Sequence, residues 1–98
     1  MINLKDAQFE RIVNTETEVV SAAENIAGVT VHFLTISARA SNNNFVRIGA
    51  DKYIYYGSPG ASPDALFITG FLVPKGEAIT IASTGADSFI CMGFEVMS

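Results

Sequence analysis

His32 and Cys91 are the only histidine and the only cysteine of the 98-residue chain, so nucleophilic or metal chemistry would have to involve them. A zinc site needs several cysteine, histidine or carboxylate ligands at suitable spacing, and the sequence places no such set around His32. No G-x-S-x-G turn marks a serine nucleophile, and no family signature surrounds Cys91. We favour a packed or interface histidine and a small buried thiol over a metal ligand and a reactive cysteine. We therefore predict neither a catalytic residue nor a metal site.

The ten carboxylates and eight glycines offer two further kinds of site, an acid-base pair and a phosphate-binding loop. The carboxylates fall mostly at expected turns and strand ends, where capping and solubility explain them better than a glycosidase pair does. The glycines form neither a G-x-x-x-x-G-K-[ST] nor a G-x-G-x-x-G pattern. We expect a protein that is not an enzyme and that binds no cofactor.

Three tyrosines within four residues are the strongest candidate for ligand recognition. Strict alternation along a strand predicts that Tyr53 and Tyr55 share a face, with Tyr56 opposite. Exposed aromatic rings beside an asparagine-rich loop can form a platform for a sugar or a protein. Core packing or interface burial of the rings is the alternative, and it is the one that we favour. The candidate ligand-binding residues are Asn42, Asn43, Asn44, Tyr53, Tyr55 and Tyr56.

Charge and hydropathy narrow the choice of partners. The net charge is −4 and the six cationic residues are spread along the chain, so no basic stripe can neutralise nucleic-acid phosphates. No window approaches the roughly 18 uninterrupted apolar residues of a membrane span, and the N-terminal segment does not resemble a signal peptide. We expect synthesis in the cytoplasm, no nucleic-acid partner and no membrane span.

The elements that must position these residues are strands. Short segments rich in β-branched and aromatic residues alternate with clusters of Gly, Pro, Asn and Asp, a pattern typical of an all-β sandwich or barrel. About eight short strands in a single domain predict an antiparallel β-sandwich with a jelly-roll-like arrangement. Residues 1–14 are either an N-terminal arm or an ordinary edge strand. The predicted strands are 9–14, 18–22, 28–38, 44–49, 52–56, 65–73, 78–83 and 88–96.

The strand VTVHFLTIS (29–37) carries apolar residues on both faces if alternation is strict, and the strands 65–73 and 88–96 do so too. Two packed sheets bury only their inner faces. With 49% hydrophobic and only 16% charged residues, the chain has few polar side chains to cover the outside. We predict a homo-oligomer whose outer sheet faces meet. The candidate interface residues are Val31, His32, Phe33, Leu34, Ile36, Phe67, Phe71 and Phe94.

Two blocks of the chain resemble the small β-sandwich structural proteins of tailed bacteriophages and prophages. One is TEVVSAAENIAGVTVHFLTISA (17–38), two strands around a glycine-bearing turn, and the other is LVPKGEAITIAS with TGADSFICMGFEVMS (72–98), a Pro-x-Gly turn that enters a final hairpin. The resemblance implies a virion component, often trimeric, that decorates the capsid or forms part of a tail or fibre. It also implies contact with other virion proteins and assembly inside the bacterial cytoplasm.

Two functions from different classes follow. The first is a non-enzymatic bacteriophage virion structural protein that self-associates through apolar sheet faces. The alternative is a carbohydrate- or receptor-binding module that recognises a cell-surface glycan with the asparagine loop, the tyrosines and the excursion at 58–64. Glycan binding that disappears when a tyrosine is replaced would favour the second.

Overall fold

A computed structural model describes residues 8–12, 15–38, 44–57, 64–83 and 88–97. Within these ranges the chain forms eight strands in two four-stranded antiparallel sheets, and no helix. The prediction of an all-β antiparallel sandwich is confirmed. The strands are β1 (Gln8–Ile12), β2 (Thr15–Val20), β3 (Val29–Ala38), β4 (Asn44–Ile48), β5 (Lys52–Gly57), β6 (Asp64–Val73), β7 (Ile79–Ser83) and β8 (Phe89–Val96).

The strand order is that of a jelly roll, as predicted. Strand β1 pairs with β8, β2 with β7, β3 with β6 and β4 with β5, so the strands nest as one long hairpin whose closed end lies between β4 and β5. Pairing of β3 with β8 and of β4 with β7 joins these pairs into sheets. Sheet A has the order β1-β8-β3-β6 and sheet B the order β2-β7-β4-β5. Strands β1 and β6 are therefore the two edges of sheet A.

The core lies between the two sheets and consists of aliphatic and aromatic side chains. Both sheets contribute, because each strand turns alternate residues inward. Fully burying one such side chain contributes about 1.5–3 kcal/mol, so this cluster is the main source of stability. Its largest fully buried members are Val29, Val31, Leu34, Ile36, Val73, Ile90, Met92 and Phe94 from sheet A, with Val20, Val46, Ile79 and Ile81 from sheet B.

Strand β3 is not apolar on both faces, because it contains an extra residue. Between Val31 and Phe33 the pairing with β8 advances two residues in β3 but only one in β8, which marks a β-bulge at His32. Val31 points into the core before the bulge, and Leu34 and Ile36 point into it afterwards. The bulge thus moves the inward face from odd to even residue numbers, and the prediction of strict alternation is wrong here.

Strand β6 changes face at the same level. Its register with β3 runs without a shift, so β6 contains its own extra residue beside the bulge of β3. Phe71 pairs with Val31 and Ile68 pairs with Leu34, and both β6 side chains pack against the core. Gly70 lies between them with a φ of 59°, a left-handed conformation that glycine adopts without strain. The two neighbouring strands therefore kink together.

Four of the predicted interface residues belong to the core of a single chain. Val31, Leu34, Ile36 and Phe94 are at most 2% exposed, so they are not available to contact a second copy. The prediction is wrong for Val31, Leu34 and Ile36 because it took both faces of β3 as apolar, whereas the bulge turns the large aliphatic side chains of β3 to one side. Phe94 lies on β8 opposite Val31 and shares its inward face.

Strand β5 contains a second bulge, which rearranges the tyrosines. Between Tyr55 and Tyr53 the pairing with β4 advances two residues in β5 but only one in β4, so Ile54 is the extra residue. Tyr55 points inward and is only 8% exposed, while Tyr53 and Tyr56 meet on the outer face. The prediction that Tyr53 and Tyr55 share a face with Tyr56 opposite is wrong.

Buried Asn25 connects the β2–β3 turn to the β6–β7 turn. Its side-chain amide nitrogen donates to the carbonyl oxygens of Pro74 at 2.8 Å and Glu77 at 2.9 Å. Its side-chain oxygen accepts from the backbone N–H of Gly28 at 2.8 Å, and its own carbonyl accepts from the N–H of Gly76 at 2.8 Å. One side chain therefore satisfies backbone groups of two turns that are far apart in sequence.

Candidate functional site

Three aromatic rings form one cluster on the outer face of sheet B. The ring centroids of Tyr53 and Tyr56 are 5.3 Å apart with an edge-to-face angle of 89°. Phe45 lies edge-on to Tyr53 at 5.7 Å and stacks with Tyr56 at 6.5 Å. The two tyrosines are 46% and 54% exposed. We call Phe45, Tyr53 and Tyr56 the aromatic platform, and its open tyrosine rings can contact a ligand.

Arg47 adds a positive charge to the aromatic platform. Its guanidinium carbon lies 5.1 Å from the ring centroid of Phe45, a cation–π distance. Its Nε donates to the carbonyl oxygen of Gly49 at 3.3 Å, which holds the side chain along the sheet. Cross-strand pairing places Thr80 beside Arg47 and Glu18 beside Thr80. Ring faces next to polar groups are the combination that stacks a sugar ring and hydrogen-bonds its hydroxyls.

Of the asparagines predicted for the ligand site, the structure describes Asn44, and this residue does not join the aromatic platform. Asn44 is fully buried at the start of β4, and its side-chain nitrogen donates to the carbonyl oxygen of Gly57 at 3.5 Å. Asn42 and Asn43 lie outside the described residues, as does most of the predicted excursion, 58–63. Among the predicted ligand-binding residues, the structure brings Tyr53 and Tyr56 together on the outer face.

Phe45 and Arg47 belong to this site although the sequence pattern did not single them out. The sequence feature that could indicate them is the short turn 49–51, because it joins the two flanking segments into a hairpin. In a hairpin, residues of one strand lie beside residues of the other on the same face. Locating the partners of the tyrosines, however, requires the position of the bulge at Ile54.

The free edge of sheet A presents a second surface, and it is apolar. Among the described residues seven large hydrophobic side chains are exposed, and three of them lie on β6: Leu72 at 70%, Phe67 at 61% and Leu66 at 45%. We call Leu66, Phe67 and Leu72 the β6 edge cluster. The ring of Phe67 stacks on Phe33 with centroids 6.0 Å apart. Phe33 in turn lies on Gly93 so closely that a Cβ at that glycine would collide with the ring.

The remaining predicted interface residues lie at or near this edge. Phe67 is exposed, whereas His32, Phe33 and Phe71 are half-buried. Phe71 contacts the core through its inner side. Among the described side chains, the outer face of sheet A is thus less apolar than predicted, and the exposed large hydrophobic side chains of this sheet lie on β6.

A groove of about 380 Å³ lies where β3 and β6 kink, and His32 contributes to its lining. The Nε2 atom of His32 is 3.6 Å from Oε1 of Glu95, beyond hydrogen-bond distance. Among the described residues no group of three or more His, Cys, Asp and Glu side chains is placed to hold a metal ion. Cys91 is a free, half-buried thiol that pairs across the strands with Thr35.

The described part of the chain contains no helix long and apolar enough to cross a membrane. No family model matches the chain, and searches of curated proteins and of solved structures return no significant match.

Proposed function

We propose that this protein is a non-enzymatic bacteriophage virion structural protein, a capsid decoration, tail or fibre component, that self-associates through the apolar edge of sheet A. The observation that carries the proposal is the β6 edge cluster. The nine residues from Ala65 to Val73 include no charged side chain, and among the described strands β6 is an edge strand that pairs on one side only, with β3. A long apolar edge is a template for pairing with another chain.

The energy available at this edge is of the size that association requires. Burying one whole Leu or Phe side chain contributes about 1.5–3 kcal/mol. Because the three cluster residues are only partly exposed, burying them contributes about 3–5 kcal/mol per copy. Two copies together therefore gain about 6–10 kcal/mol, which is comparable with the roughly 4–15 kcal/mol lost when two molecules become one. Backbone hydrogen bonds along the edge would then decide the affinity.

The virion role has two supports. The strand order is that of a jelly roll, an architecture that viral capsid proteins use alongside lectins and cupins. Because one fold can host many functions, the resemblance of 17–38 and 72–98 to phage sandwich proteins carries the rest of the argument. In this role the partners are further copies of the chain and other virion proteins, brought together in the bacterial cytoplasm.

Sedimentation velocity of the purified protein at micromolar concentration tests self-association. We expect the wild-type chain to sediment as an oligomer and Leu72→Lys to sediment as a single chain. Ile26→Lys is the matched control, because Ile26 is about as exposed as Leu72 but lies in the β2–β3 turn. A wild-type protein that remains a single folded chain contradicts the proposal.

Association with particles has its own test. Phage particles released from the bacterium that produces the chain are banded in a density gradient, and the chain is followed with an antibody. We expect wild type and Ile26→Lys to band with the particles and Leu72→Lys to be depleted from them. A chain found only in the unbanded fraction contradicts the virion role.

A second candidate function, carbohydrate binding, is favoured by the aromatic platform. Tyr53 and Tyr56 expose their rings beside Arg47, and aromatic rings with a polar neighbour suit a sugar ring. A glycan array identifies the ligand, and calorimetry then compares variants. We expect Tyr56→Ala to abolish binding and Ile54→Ala, an exposed neighbour on the same strand, to leave it unchanged. No binding by a folded wild-type protein contradicts this function.

A further inference from the structure

We propose that strand β6 of one copy pairs antiparallel with strand β6 of a second copy, with the two-fold axis between Thr69 and Gly70. The two A sheets would then join into one continuous eight-stranded sheet. This inference rests on the proposed function and deepens it, because it names the partner as a second copy and specifies the register.

Strand β6 has a free side that is long enough for such pairing. It is ten residues long, and among the described strands its single neighbour in sheet A is β3. Edge strands are commonly protected by lysine, by proline or by a bulge that twists the edge away from its neighbour. Here Pro74 follows the strand, the segment 65–73 has no lysine, and the kink is shared with β3, so these devices do not block the middle of β6.

The change of face makes β6 complementary to itself. Phe67 and Leu72 point outward on either side of the kink, while Ile68 and Phe71 pack inward. In a regular strand two positions five residues apart point to opposite faces, but Phe67 and Leu72 share one because of the extra residue at Gly70. Side chains that share a face can lie opposite each other in an antiparallel pair.

A single register matches both faces along the whole segment. If Phe67 of one copy lies opposite Leu72 of the second, all outward side chains face outward ones and all inward side chains face inward ones. A shift by one residue sets Phe67 against Phe71, an outward side chain against an inward one. A shift of the register by two residues in one direction sets Leu72 of one copy against Thr69 of the other and shortens the paired part of the two strands. The pairs of the matched register are Phe67 with Leu72, Ile68 with Phe71, Leu66 with Val73 and Ala65 with Pro74.

This register continues contacts that already exist in one copy. On the outer face, Leu72 of the second copy extends the stack of Phe33 and Phe67. On the inner face, Phe71 of the second copy lies beside Ile68, which packs against the core. The two kinks meet at the axis, so both strands bend in the same place. Such a contact is closed and isologous, which limits the assembly at this edge to two copies.

Cysteine cross-linking in a Cys91→Ala background tests the register. We expect Thr69→Cys to form a disulfide-linked dimer on mild oxidation, because the two copies of residue 69 lie about one residue step apart across the axis. Ala65→Cys is the matched control, since both side chains are exposed on the same strand. The two copies of residue 65 lie about 30 Å apart, at about 3.3 Å for each of nine steps, and they should not cross-link.

A spin-label distance measurement checks the same geometry without a covalent bond. Labels at position 65 should give a distance near 30 Å and labels at position 69 a much shorter one. Cys91 lies on β8, two strands away from β6. If Cys91→Ala fails to fold, the wild-type protein, which contains Cys91, supplies the background level of cross-linking.

The outcomes separate this inference from the proposed function. A dimer that cross-links through Thr69→Cys but not through Ala65→Cys supports the register. A trimer, or an oligomer in which Thr69→Cys does not cross-link, overturns β6 pairing but leaves self-association standing. A wild-type protein that remains a single chain overturns both.

Discussion

The Asn25→Ala substitution should remove the connection between the two turns and destabilise the fold severely. The Asn25 side chain is 1% exposed, donates two hydrogen bonds and accepts one, all at 2.8–2.9 Å. Alanine fits the space but offers no polar atom. The carbonyls of Pro74 and Glu77 and the N–H of Gly28 therefore lose their side-chain partner.

The size of the effect follows from how well water can replace the lost partner. A hydrogen bond contributes about 0.5–1.5 kcal/mol net, and a buried group left unsatisfied costs about 1–3 kcal/mol. Gly28 is buried and should incur the full cost, whereas Pro74 is exposed and its carbonyl can rebind water. We therefore expect a loss of about 3 kcal/mol of unfolding free energy. For a chain of this length that loss lowers Tm by about 12–24 °C.

Urea unfolding at one fixed protein concentration measures the loss, because self-association makes stability depend on concentration. Ile26→Ala is the neighbouring control, since its side chain is exposed and should change the unfolding free energy by less than about 0.5 kcal/mol. If Asn25→Ala loses less than about 1 kcal/mol, the turn connection is not the stabilising element that we infer.

Two further predictions concern the outer face of sheet A and the β2–β3 turn. Gly93→Ala should displace the Phe33 ring and lower stability by about 1–3 kcal/mol, and Phe33→Ala should abolish that effect in a double-mutant cycle. An unchanged cost in the double variant would contradict the contact. The backbone N–H of Ser21 donates to Oε1 of Glu24 at 3.0 Å and, together with a hydrogen bond from the Ser21 side chain, holds the pKa of this exposed carboxyl below its usual value of 4.5. The stabilising contribution of Glu24 is therefore present above that pH and is lost as the pH falls through the lowered pKa. Melting curves from pH 3 to 7 should show a smaller acid-induced loss for Glu24→Gln than for wild type, because glutamine does not titrate, and equal losses would contradict this.

Strand positions could be predicted because they depend on local chemistry, and the jelly-roll-like arrangement was predicted from the number of short strands. Proline and glycine at 74–76 end one strand, and the apolar residues after them begin the next. The bulges at His32 and Ile54 could not be predicted in the same way. Each bulge is defined by pairing with β8 or β4, and the side chains next to it are compatible with either face.

The candidate site also combines features that the sequence predicts with features that depend on long-range pairing. Tyr53 and Tyr56 were identifiable as aromatic residues on a short strand, but their common face depends on the bulge between them. Strict alternation likewise places Val31 on one face of β3 and Leu34 and Ile36 on the other, and only the bulge at His32 brings all three to the core. Asn25 went unnoticed because its hydrogen-bond partners lie 49 and 52 residues away.

The nested strand pairing also sets an order in which the chain can fold. Only the β4–β5 pair is joined by a short turn, whereas β1 and β8 must meet from nearly opposite ends of the described chain. Closing a long loop before the inner strand pairs exist loses conformational entropy that few contacts offset. We therefore expect the strand pairs to form in order from the β4–β5 hairpin outward. Strand β1 then docks last and detaches first, and amide hydrogen exchange should be fastest there and slowest in the inner pairs.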